Sequence, residues 1–362
     1  MTAPEIIAHR LANQHLIGAP LGAPGDVVRH FAAMQAQDYA GAKWAVGQRC
    51  AASDADVEAL FNDGAILRTH LCRPTWHFVL AEDIRWILEL TAPRVHQANA
   101  FMARKRGLDV RLLRRATDII AKALVGGKHL ERDKLMALLN SARIDTTDNR
   151  SSHFIMYAEL EGVVCSGPRV GKQFTYALLD ERAPRAKRMG REEAIAELTR
   201  RYFTSRGPAT LHDLTLWSGL TMADAKKGIA LVGEEFARTM INERENWYPH
   251  DTGPMKLPAS TVHLLPNYDE YGIGYKDRSA FYDPSQALAG RNNPVFRHLL
   301  LLNGRMVGTW DRTLAKKSVS VLTSPFAPLK GTAARSVHQA MQRFARFLEL
   351  PLSMSGGSTS GR

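Results

Sequence analysis

The chain lacks long apolar segments. None of its 362 residues belongs to a run near the roughly eighteen consecutive apolar residues that a membrane-spanning helix needs. The N-terminal segment MTAPEIIAHRLANQHL also lacks the apolar core of a secretory signal peptide. We therefore expect a cytoplasmic protein that has no membrane partner.

Cysteine and the common catalytic signatures are scarce as well. The chain has only three cysteines, an odd number, and they lie far apart at Cys50, Cys72 and Cys165. This pattern supports neither a disulfide framework nor a cysteine-rich zinc site. The sequence contains no phosphate-binding P-loop, no H-E-x-x-H and no G-x-S-x-G. His70 and His77 do not have regular metal-ligand spacing, so a structural or DNA-contacting role is expected for them. We expect inert thiols, no metal and no other cofactor.

Positive charge, by contrast, is abundant. The chain has 48 Lys and Arg against 36 Asp and Glu, a net charge of +12, and a sequence pI near 9.7. Much of the excess lies in the segments RKRGLDVRLLRR and ERAPRAKRMGR. This balance favours a polyanionic partner, although a solvated basic surface is the alternative and charge does not separate DNA from RNA.

Three segments repeat a pattern of helix, turn, helix and short hairpin. The third copy, GPATLHDLTLWSGLTMADAKKGIALV, has the clearest helices. Thr210 is placed to cap one helix, Gly219 to end it, and Thr221 to cap a second helix that runs to about Val232. This spacing predicts a helix-turn-helix.

The second copy supplies the hairpin. Two helical stretches end at Gly162, and the β-rich runs VVCSG and FTYALL flank the basic turn PRVGKQ. Two helices followed by a basic hairpin predict a winged helix. Arg169 and Lys172 in the wing would then reach DNA phosphates or a groove edge.

The first copy is less regular. A helix from about Asp26 leads through two glutamines to a second helix around GAKWAVGQR, and ILRTHLCRPTWHFVL is typical of a hairpin. A helical connector follows, in which Pro93 predicts a break or kink. After the third copy, β-rich runs predict a small sheet or barrel, followed by the helix ARSVHQAMQRFARFLEL and a disordered tail.

These patterns predict an α+β fold with three tandem winged-helix motifs and a C-terminal β-rich region. The expected units are residues 1–92, 93–185, 186–260, 261–352 and, for the disordered tail, 353–362.

The stretch MQAQDY holds Gln35 and Gln37 two residues apart in an apolar setting. On a regular helix these side chains would point about 200° apart. They converge only if the helix ends near Met34 and the chain runs extended through Ala36, because alternate side chains of an extended segment face the same way. Otherwise the amides simply satisfy backbone groups in a tight turn between helices.

The QAQ triplet and four longer blocks resemble the AlkZ and YcaQ group of DNA glycosylases, a family of winged-helix DNA-binding proteins. The family mark is Gln, an apolar residue, then Gln or Asp. The other blocks occur in the family's order along nearly the whole chain: RPTWHFVLAEDIRWIL, SGPRVGKQFTYALLDER, LLPNYDEYGIGYKDRS and NGRMVGTWDR.

This resemblance implies three tandem winged helices that form a concave basic surface around double-stranded DNA. It implies a monomeric, nucleoid-associated glycosylase that excises alkylated purines, typically N7-alkylguanines. Relatives often act on bulky adducts or interstrand crosslinks and provide self-resistance in antibiotic producers. Catalytic roles carry over to Gln35 and Gln37 alone. The YcaQ branch has Asp at the second position, so its crosslink repair is less directly implied.

Uncharged amides suffice for this chemistry when the leaving base is already cationic. The enzyme then has to orient a water and stabilise an oxocarbenium-like transition state, and an amide can both accept and donate hydrogen bonds. Asp38 would polarise water better, but along an extended segment it faces away from both glutamines. No lysine is placed by the motif as a Schiff-base nucleophile, so strand cleavage is not expected.

Basic and aromatic residues of the hairpins are the candidate DNA ligands. We expect phosphate or minor-groove contacts from Arg68, Arg73, His77, Arg169 and Lys172. The acidic cluster Tyr268–Tyr271 is expected to organise arginines rather than touch DNA. The competing interpretation is a non-catalytic winged-helix regulator, although such proteins usually dimerise to read paired half-sites.

Overall fold

The structure, a computed structural model, describes residues 1–250, 257–285 and 296–353. It is mixed α/β, with three successive helix-and-strand units followed by an antiparallel sheet. Of the tail expected to be disordered, only Ser353 is described, and 354–362 lie outside the described residues. No helix within the described ranges is both long and apolar enough to cross a membrane.

Unit 1 follows an N-terminal helix, α1 (Ala3–Asn13). Its elements are α2 (Pro24–Phe31), β1 (Met34–Gln35), α3 (Tyr39–Gly47), α4 (Asp54–Asp63), β2 (Ile66–Leu71) and β3 (Arg73–Leu80). The three strands are antiparallel in the order β1-β3-β2. The predicted hairpin is therefore confirmed as β2 and β3.

Unit 2 is joined to unit 1 by α5 (Ile84–Lys105). Its elements are α6 (Val110–Leu124), β4 (Leu130–Glu131), α7 (Arg132–Ser141), α8 (Arg150–Leu160), β5 (Val164–Ser166) and β6 (Thr175–Leu178). The strand order β4-β6-β5 places the first strand beside the third, as in unit 1. The two units thus share both element order and sheet topology.

The connector α5 continues through Pro93, so of the break or kink predicted from the sequence the structure excludes the break. A proline removes one backbone hydrogen bond, whereas the flanking residues Leu90, Ala92 and Val95 are all buried in the core. Packing on both sides of the proline holds the helix together. The predicted boundary between residues 92 and 93 consequently falls inside α5.

Unit 3 comes after a short helix, α9 (Leu179–Arg182). Its elements are α10 (Arg191–Arg206), α11 (Leu211–Ser218), α12 (Met222–Val232), the 3₁₀ turn Gly233–Glu235, β7 (Phe236–Ile241) and β8 (Arg244–Pro249). Ala209 forms an isolated bridge to Trp247 of β8. This bridge stands where units 1 and 2 have their first strand, so the third copy repeats the same order.

The predicted caps of unit 3 are confirmed. Thr210 accepts from the backbone of Asp213 and begins α11, while Gly219 ends that helix in the left-handed conformation. Thr221 caps α12 in the same way, with Asp224 as its reciprocal partner. Both helices begin and end where the turn chemistry requires.

The C-terminal region is an open sheet covered by a helix. Its elements are β9 (Val262–Leu265), α13 (Glu270–Ile273), β10 (Leu299–Leu302), β11 (Arg305–Ala315), β12 (Ser318–Pro325) and α14 (Gly331–Phe347). The strand order is β12-β11-β10-β9, and β9 and β12 do not pair, so the described residues form a sheet rather than a barrel. Trp44 of α3 packs with Trp310 and Phe344 in the core beneath α14.

The largest core joins units that are distant in sequence. It contains Leu67 of the unit 1 hairpin, Trp86 of α5 and Trp217 of α11. At its edge, Gly219 approaches the turn of the hairpin so closely that a Cβ there would lie 2.2 Å from the carbonyl oxygen of Cys72. Units 1 and 3 are thus in direct backbone contact.

This close approach makes Gly219 a test of the junction between units 1 and 3. We expect Gly219→Ala to lower the free energy of unfolding by about 3 kcal/mol or more, since the left-handed φ and the clash with Cys72 both disfavour a side chain. Gly126→Ala is the matched control: its φ is also positive, but no atom lies within 4 Å of the added Cβ. The control should lose only about 1 kcal/mol in chemical denaturation. Equal losses would show that the close contact with Cys72 does not matter.

Candidate active site

The two glutamines lie on an extended joint between helices, as predicted. Helix α2 ends at Phe31, and Ala32 turns the chain with a positive φ of 62°. Gln35 then pairs with His77 of β3. Asp38 begins the next helix as the N-cap of α3. Helical geometry is therefore interrupted over the whole QAQ triplet.

Both amides contact the same short stretch of β3. The Nε2 of Gln35 donates to Thr75 Oγ1 at 3.2 Å, and the Oε1 of Gln37 accepts from the backbone N–H of Trp76 at 3.4 Å. Gln35 is half-buried and Gln37 is exposed. The Oε1 of Gln35 is buried and has no hydrogen-bond partner in the protein. It is a free acceptor beside a solvent-exposed amide.

The backbone of the joint is held from three sides. The N–H of Gln35 donates to Glu270 Oε1 at 2.9 Å. The N–H of Ala36 donates to the carbonyl of Trp76 at 2.7 Å, and the Ala36 carbonyl accepts from Arg68 Nε at 2.9 Å. These bonds restrict the triplet to one conformation, so the amides depend on groups far away in sequence.

Glu270 connects the joint to unit 3. Its Oε2 accepts from Arg206 Nη2 at 2.6 Å and from the indole N–H of Trp217 at 2.9 Å. The neighbouring Asp269 binds Arg49 through two hydrogen bonds of 2.8 and 2.9 Å. All four charged residues are buried. The acidic cluster thus organises arginines, as expected from the sequence.

Asp38 is already engaged by other groups. Its Oδ1 accepts from the N–H of Gly41 at 3.1 Å, and its Oδ2 lies 3.7 Å from Arg312 and 3.9 Å from His298. Burial opposes ionisation of Asp38, but the nearby His298, the hydrogen bond from Gly41 and the charge of Arg312 outweigh it and lower its pKa. The carboxylate therefore stays ionised and fixes the start of α3.

Arg68 is not on the surface as the sequence interpretation assumed. Only 8% of it is exposed, and its guanidinium packs over the rings of Trp76 and Phe174. Burial lowers its pKa to about 10. Its position argues against direct DNA contact, because the side chain supports the joint from behind through the Ala36 carbonyl.

His77 is fully buried, which also argues against direct DNA contact by its ring. Its Nδ1 lies 2.9 Å from the Thr75 carbonyl, so in the neutral ring Nδ1 donates and Nε2 is an acceptor. Burial, followed by the charge of Arg73, lowers the pKa of His77 well below 6.5. Its Nε2 has no hydrogen-bond partner, and Thr69 Oγ1 on the next strand is likewise unpartnered. The sheet face that Gln35 shares with His77 and Thr69 is therefore polar and uncharged.

The three remaining candidate DNA ligands, Arg169, Lys172 and Arg73, differ in their surroundings. Arg169 is ion-paired with Glu58 of α4 at 3.2 Å, and its N–H donates to Asn62 at 2.8 Å. Its charge therefore attaches the wing to unit 1. Lys172 at the wing tip is exposed. Arg73 is partly exposed, and its Nε and Nη2 are buried without a hydrogen-bond partner. DNA contact by these residues stays a prediction.

Two supporting residues were missed from the sequence. Thr75 contacts Gln35, and β alternation gives the signal, since Thr75 lies two residues before His77, which pairs with Gln35. Glu270 was recognised as an arginine partner only, and nothing local indicates its bond to a residue 235 positions away. Within the three described ranges, no three His, Cys, Asp or Glu side chains are grouped as a metal site requires.

The side chains of the joint can position a reactant, but they are not arranged to transfer a proton. Gln35 and Gln37 offer uncharged donors and acceptors, whereas the nearby carboxylates of Asp38 and Glu270 are occupied by cations and N–H groups. Such a site can hold a water molecule or a sugar oxygen in a fixed orientation. Among the described residues, neither of these two carboxylates is free to protonate a leaving group.

Glu270 provides a stability test of this framework. We expect Glu270→Gln to lower the free energy of unfolding by about 3–5 kcal/mol, because it leaves the buried Arg206 without its counter-charge. Glu89→Gln removes a carboxylate from an exposed ion pair with Arg188 and should cost under about 1 kcal/mol. Urea denaturation of both variants makes the comparison. A loss as small as that of the control would mean that the Glu270 charge does not hold the units together.

Known proteins resemble this chain over most of its length. The model of the AlkZ-like DNA glycosylase family matches residues 28–347. An interstrand DNA cross-link repair glycosylase from Streptomyces sahachiroi is 23% identical over 358 residues, which cover 94% of this chain and 95% of the relative. The solved structure of DNA glycosylase AlkZ from the same organism superimposes with a TM-score of 0.78 at 20% identity, over 98% of this chain and 99% of that one. The chain belongs to the AlkZ-like DNA glycosylase family.

Proposed function

We propose that the protein is a monofunctional DNA glycosylase that hydrolyses the N-glycosidic bond of N7-alkylated purines in duplex DNA. The observation that carries the proposal is the extended joint, where two uncharged amides contact one stretch of β3 in a chain of this family. The relative named for interstrand cross-link repair extends the proposal to bulky and crosslinked adducts. Self-resistance to a DNA-alkylating natural product is the biological role that fits such substrates.

The chemistry follows from the charge of the substrate. An N7-alkylated guanine is cationic, so the bond between C1′ and N9 is already weakened and the base leaves without a general acid. The enzyme has to hold a water near C1′ while an oxocarbenium-like sugar develops. Orientation by neutral amides meets that requirement, and the occupied carboxylates around the joint are consistent with it.

The two amides differ in exposure, which suggests separate tasks. The unpartnered Oε1 of Gln35 is the acceptor for the nucleophilic water. Gln37 is exposed, and its NH₂ is available to a sugar or phosphate oxygen while its Oε1 stays on Trp76. The hydrogen bond from Gly41 and the approach of Arg312 argue against Asp38 as the water activator.

We further propose that units 1, 2 and 3 are tandem winged helices that form a concave, basic, DNA-binding surface. Their shared element and strand order supports this assignment. Lys172 at an exposed wing tip is a candidate phosphate ligand. Three DNA-binding units in one chain suit a monomer acting on nucleoid DNA.

A transcriptional regulator is the second candidate function, and the helices of units 1 and 2 argue against it. In a winged helix, the last helix before the hairpin usually reads bases. In unit 1 this is α4, which contains four acidic residues and no Lys or Arg: Asp54, Asp56, Glu58 and Asp63. In unit 2 it is α8, most of whose residues are buried. Neither helix is suited to reading a negatively charged duplex.

Base release tests the catalytic assignment. We expect Gln35→Ala and Gln37→Ala each to reduce the single-turnover release of 7-methylguanine from duplex DNA by about 100-fold, because the water is no longer oriented. DNA affinity should change little, since neither amide is a main phosphate anchor. Gln339→Ala, on the exposed face of α14, is the control and should retain the full rate. Tight DNA binding by the wild-type protein without release of any N7 adduct would favour the regulator.

Selectivity for charged bases is a separate prediction. We expect release from a duplex carrying N7-methylguanine and none from the same duplex carrying hypoxanthine, whose neutral ring needs protonation before it leaves. The pKa of Asp38 is lowered, so at neutral pH this carboxyl has no proton to give. Comparable rates on the two duplexes, compared at equal saturation, would reveal a general acid and contradict catalysis by amides alone.

A further inference from the structure

Two arginines near the joint are not balanced by acidic groups. Arg73 begins β3, and Arg278 follows α13. Neither forms an ion pair in the part of the chain that the structure describes. Arg73 has no hydrogen bond from its Nε or Nη2, although both atoms are buried. Burying a guanidinium that has no hydrogen-bond or ion-pair partner is energetically costly. The position of Arg73 therefore indicates that a ligand supplies the missing partner.

The backbone brings both residues to Gln35. Arg73 lies two residues before Thr75, which holds the Gln35 side chain. Arg278 Nε donates to the carbonyl of Gly272 at 3.0 Å, and Gly272 lies two residues after Glu270, which holds the Gln35 N–H. Each arginine therefore lies within a few residues of a group that holds Gln35, Arg73 beside Thr75 and Arg278 through Gly272 beside Glu270.

The nearest acids cannot neutralise the pair. Glu270 is ion-paired with Arg206 and also accepts from Trp217 and Gln35. Asp213 caps α11 through Thr210 and accepts from the Lys276 N–H. The carboxylates are thus committed elsewhere.

Charge repulsion agrees with this geometry. Burial, followed by the positive charge of Arg73, lowers the pKa of Arg278. Burial also lowers the pKa of Arg73, although the charge of Glu270 opposes that shift. Both residues are partly exposed, so an anion can approach them from solvent. Two like charges held in one region are relieved by an anion placed between them.

We propose that Arg73 and Arg278 form an anion site that binds a backbone phosphate of the damaged strand next to the nucleotide held at Gln35. Guanidinium groups suit phosphate oxygens because they offer several donors in one plane. This inference rests on the proposed function for the identity of the anion as a DNA phosphodiester. It adds Arg278 to the site and makes Arg73 a ligand of the lesion strand rather than a general basic residue.

Salt dependence of binding provides the first test. We expect Arg73→Met and Arg278→Met each to reduce the slope of log affinity against log salt concentration by up to about 0.9 and to weaken binding by roughly tenfold. The DNA is a duplex with one N7-methylguanine. Arg335→Met, at an exposed position on α14, removes the same charge and should leave the slope unchanged. Unchanged slopes in both variants overturn the proposal.

Phosphate replacement gives the matching test on the DNA. Each of the phosphates flanking the lesion is replaced in turn by a neutral methylphosphonate. At one position the replacement should weaken wild-type binding roughly tenfold and have no effect on the Arg73→Met, Arg278→Met double variant. If every replacement costs both proteins equally, no flanking phosphate is bound by the pair and the inference is wrong.

Thermal unfolding separates a ligand from a structural arginine. We expect the melting temperature of Arg73→Met to equal or exceed that of the wild type, because the substitution removes an unsatisfied buried charge. A lower melting temperature with an unchanged salt slope would make Arg73 structural. If the slopes fall as expected but no N7 adduct is released, the anion site stands and the proposed function fails. If N7 adducts are released but the salt slopes are unchanged, the proposed function stands and the anion site is wrong.

Discussion

The carboxylate of Glu270 is the interaction on which the arrangement of the site depends. Its two oxygens join the backbone of Gln35, the guanidinium of Arg206 and the indole of Trp217. These residues come from unit 1 and unit 3, while Glu270 itself lies in α13, between β9 and β10 of the C-terminal sheet. One buried group therefore links three parts of the chain. Removing such a charge from water is costly unless every lone pair finds a donor, and here the donors are supplied.

A consequence of this framework is that charge and catalysis are kept apart. Asp269 and Glu270 are neutralised by Arg49 and Arg206 in buried pairs. The groups left at the surface of the joint are amides, whose hydrogen-bonding ability does not change with pH. A site built this way suits a substrate that brings its own positive charge. It is poorly suited to reactions in which the enzyme must donate a proton.

Local chemistry explains which features could be predicted from the sequence. The caps at Thr210 and Thr221 and the left-handed Gly219 depend on contacts within one turn, so residue type alone indicates them. The extended joint was predictable for a related reason, because the two glutamines can share a site only when helical geometry stops. The hairpins followed from alternation and from turn residues.

Contacts between distant segments explain where the structure departs from what the sequence led us to expect. Arg68 and His77 have the composition of a DNA-facing hairpin, yet β2 and the second half of β3 are buried, so these polar residues lie inside. Helix α5 passes Pro93 because burial on either side outweighs one missing hydrogen bond. The bond between Glu270 and Gln35 spans most of the chain. Periodicity reports which side of an element is apolar, but it does not report what covers the other side.

The wing of unit 2 has a mechanical consequence. Arg169 attaches this hairpin to Glu58 of unit 1, and Phe174 packs edge-on against Tyr39 immediately after the QAQ joint. Together with the backbone contact at Gly219, these attachments hold unit 1 against both unit 2 and unit 3. A framework tied in this way resists hinge-like closure. When the two bind, the DNA duplex rather than the protein would then undergo most of the deformation. A duplex that a bulky lesion has already made more flexible would deform at the lowest energetic cost.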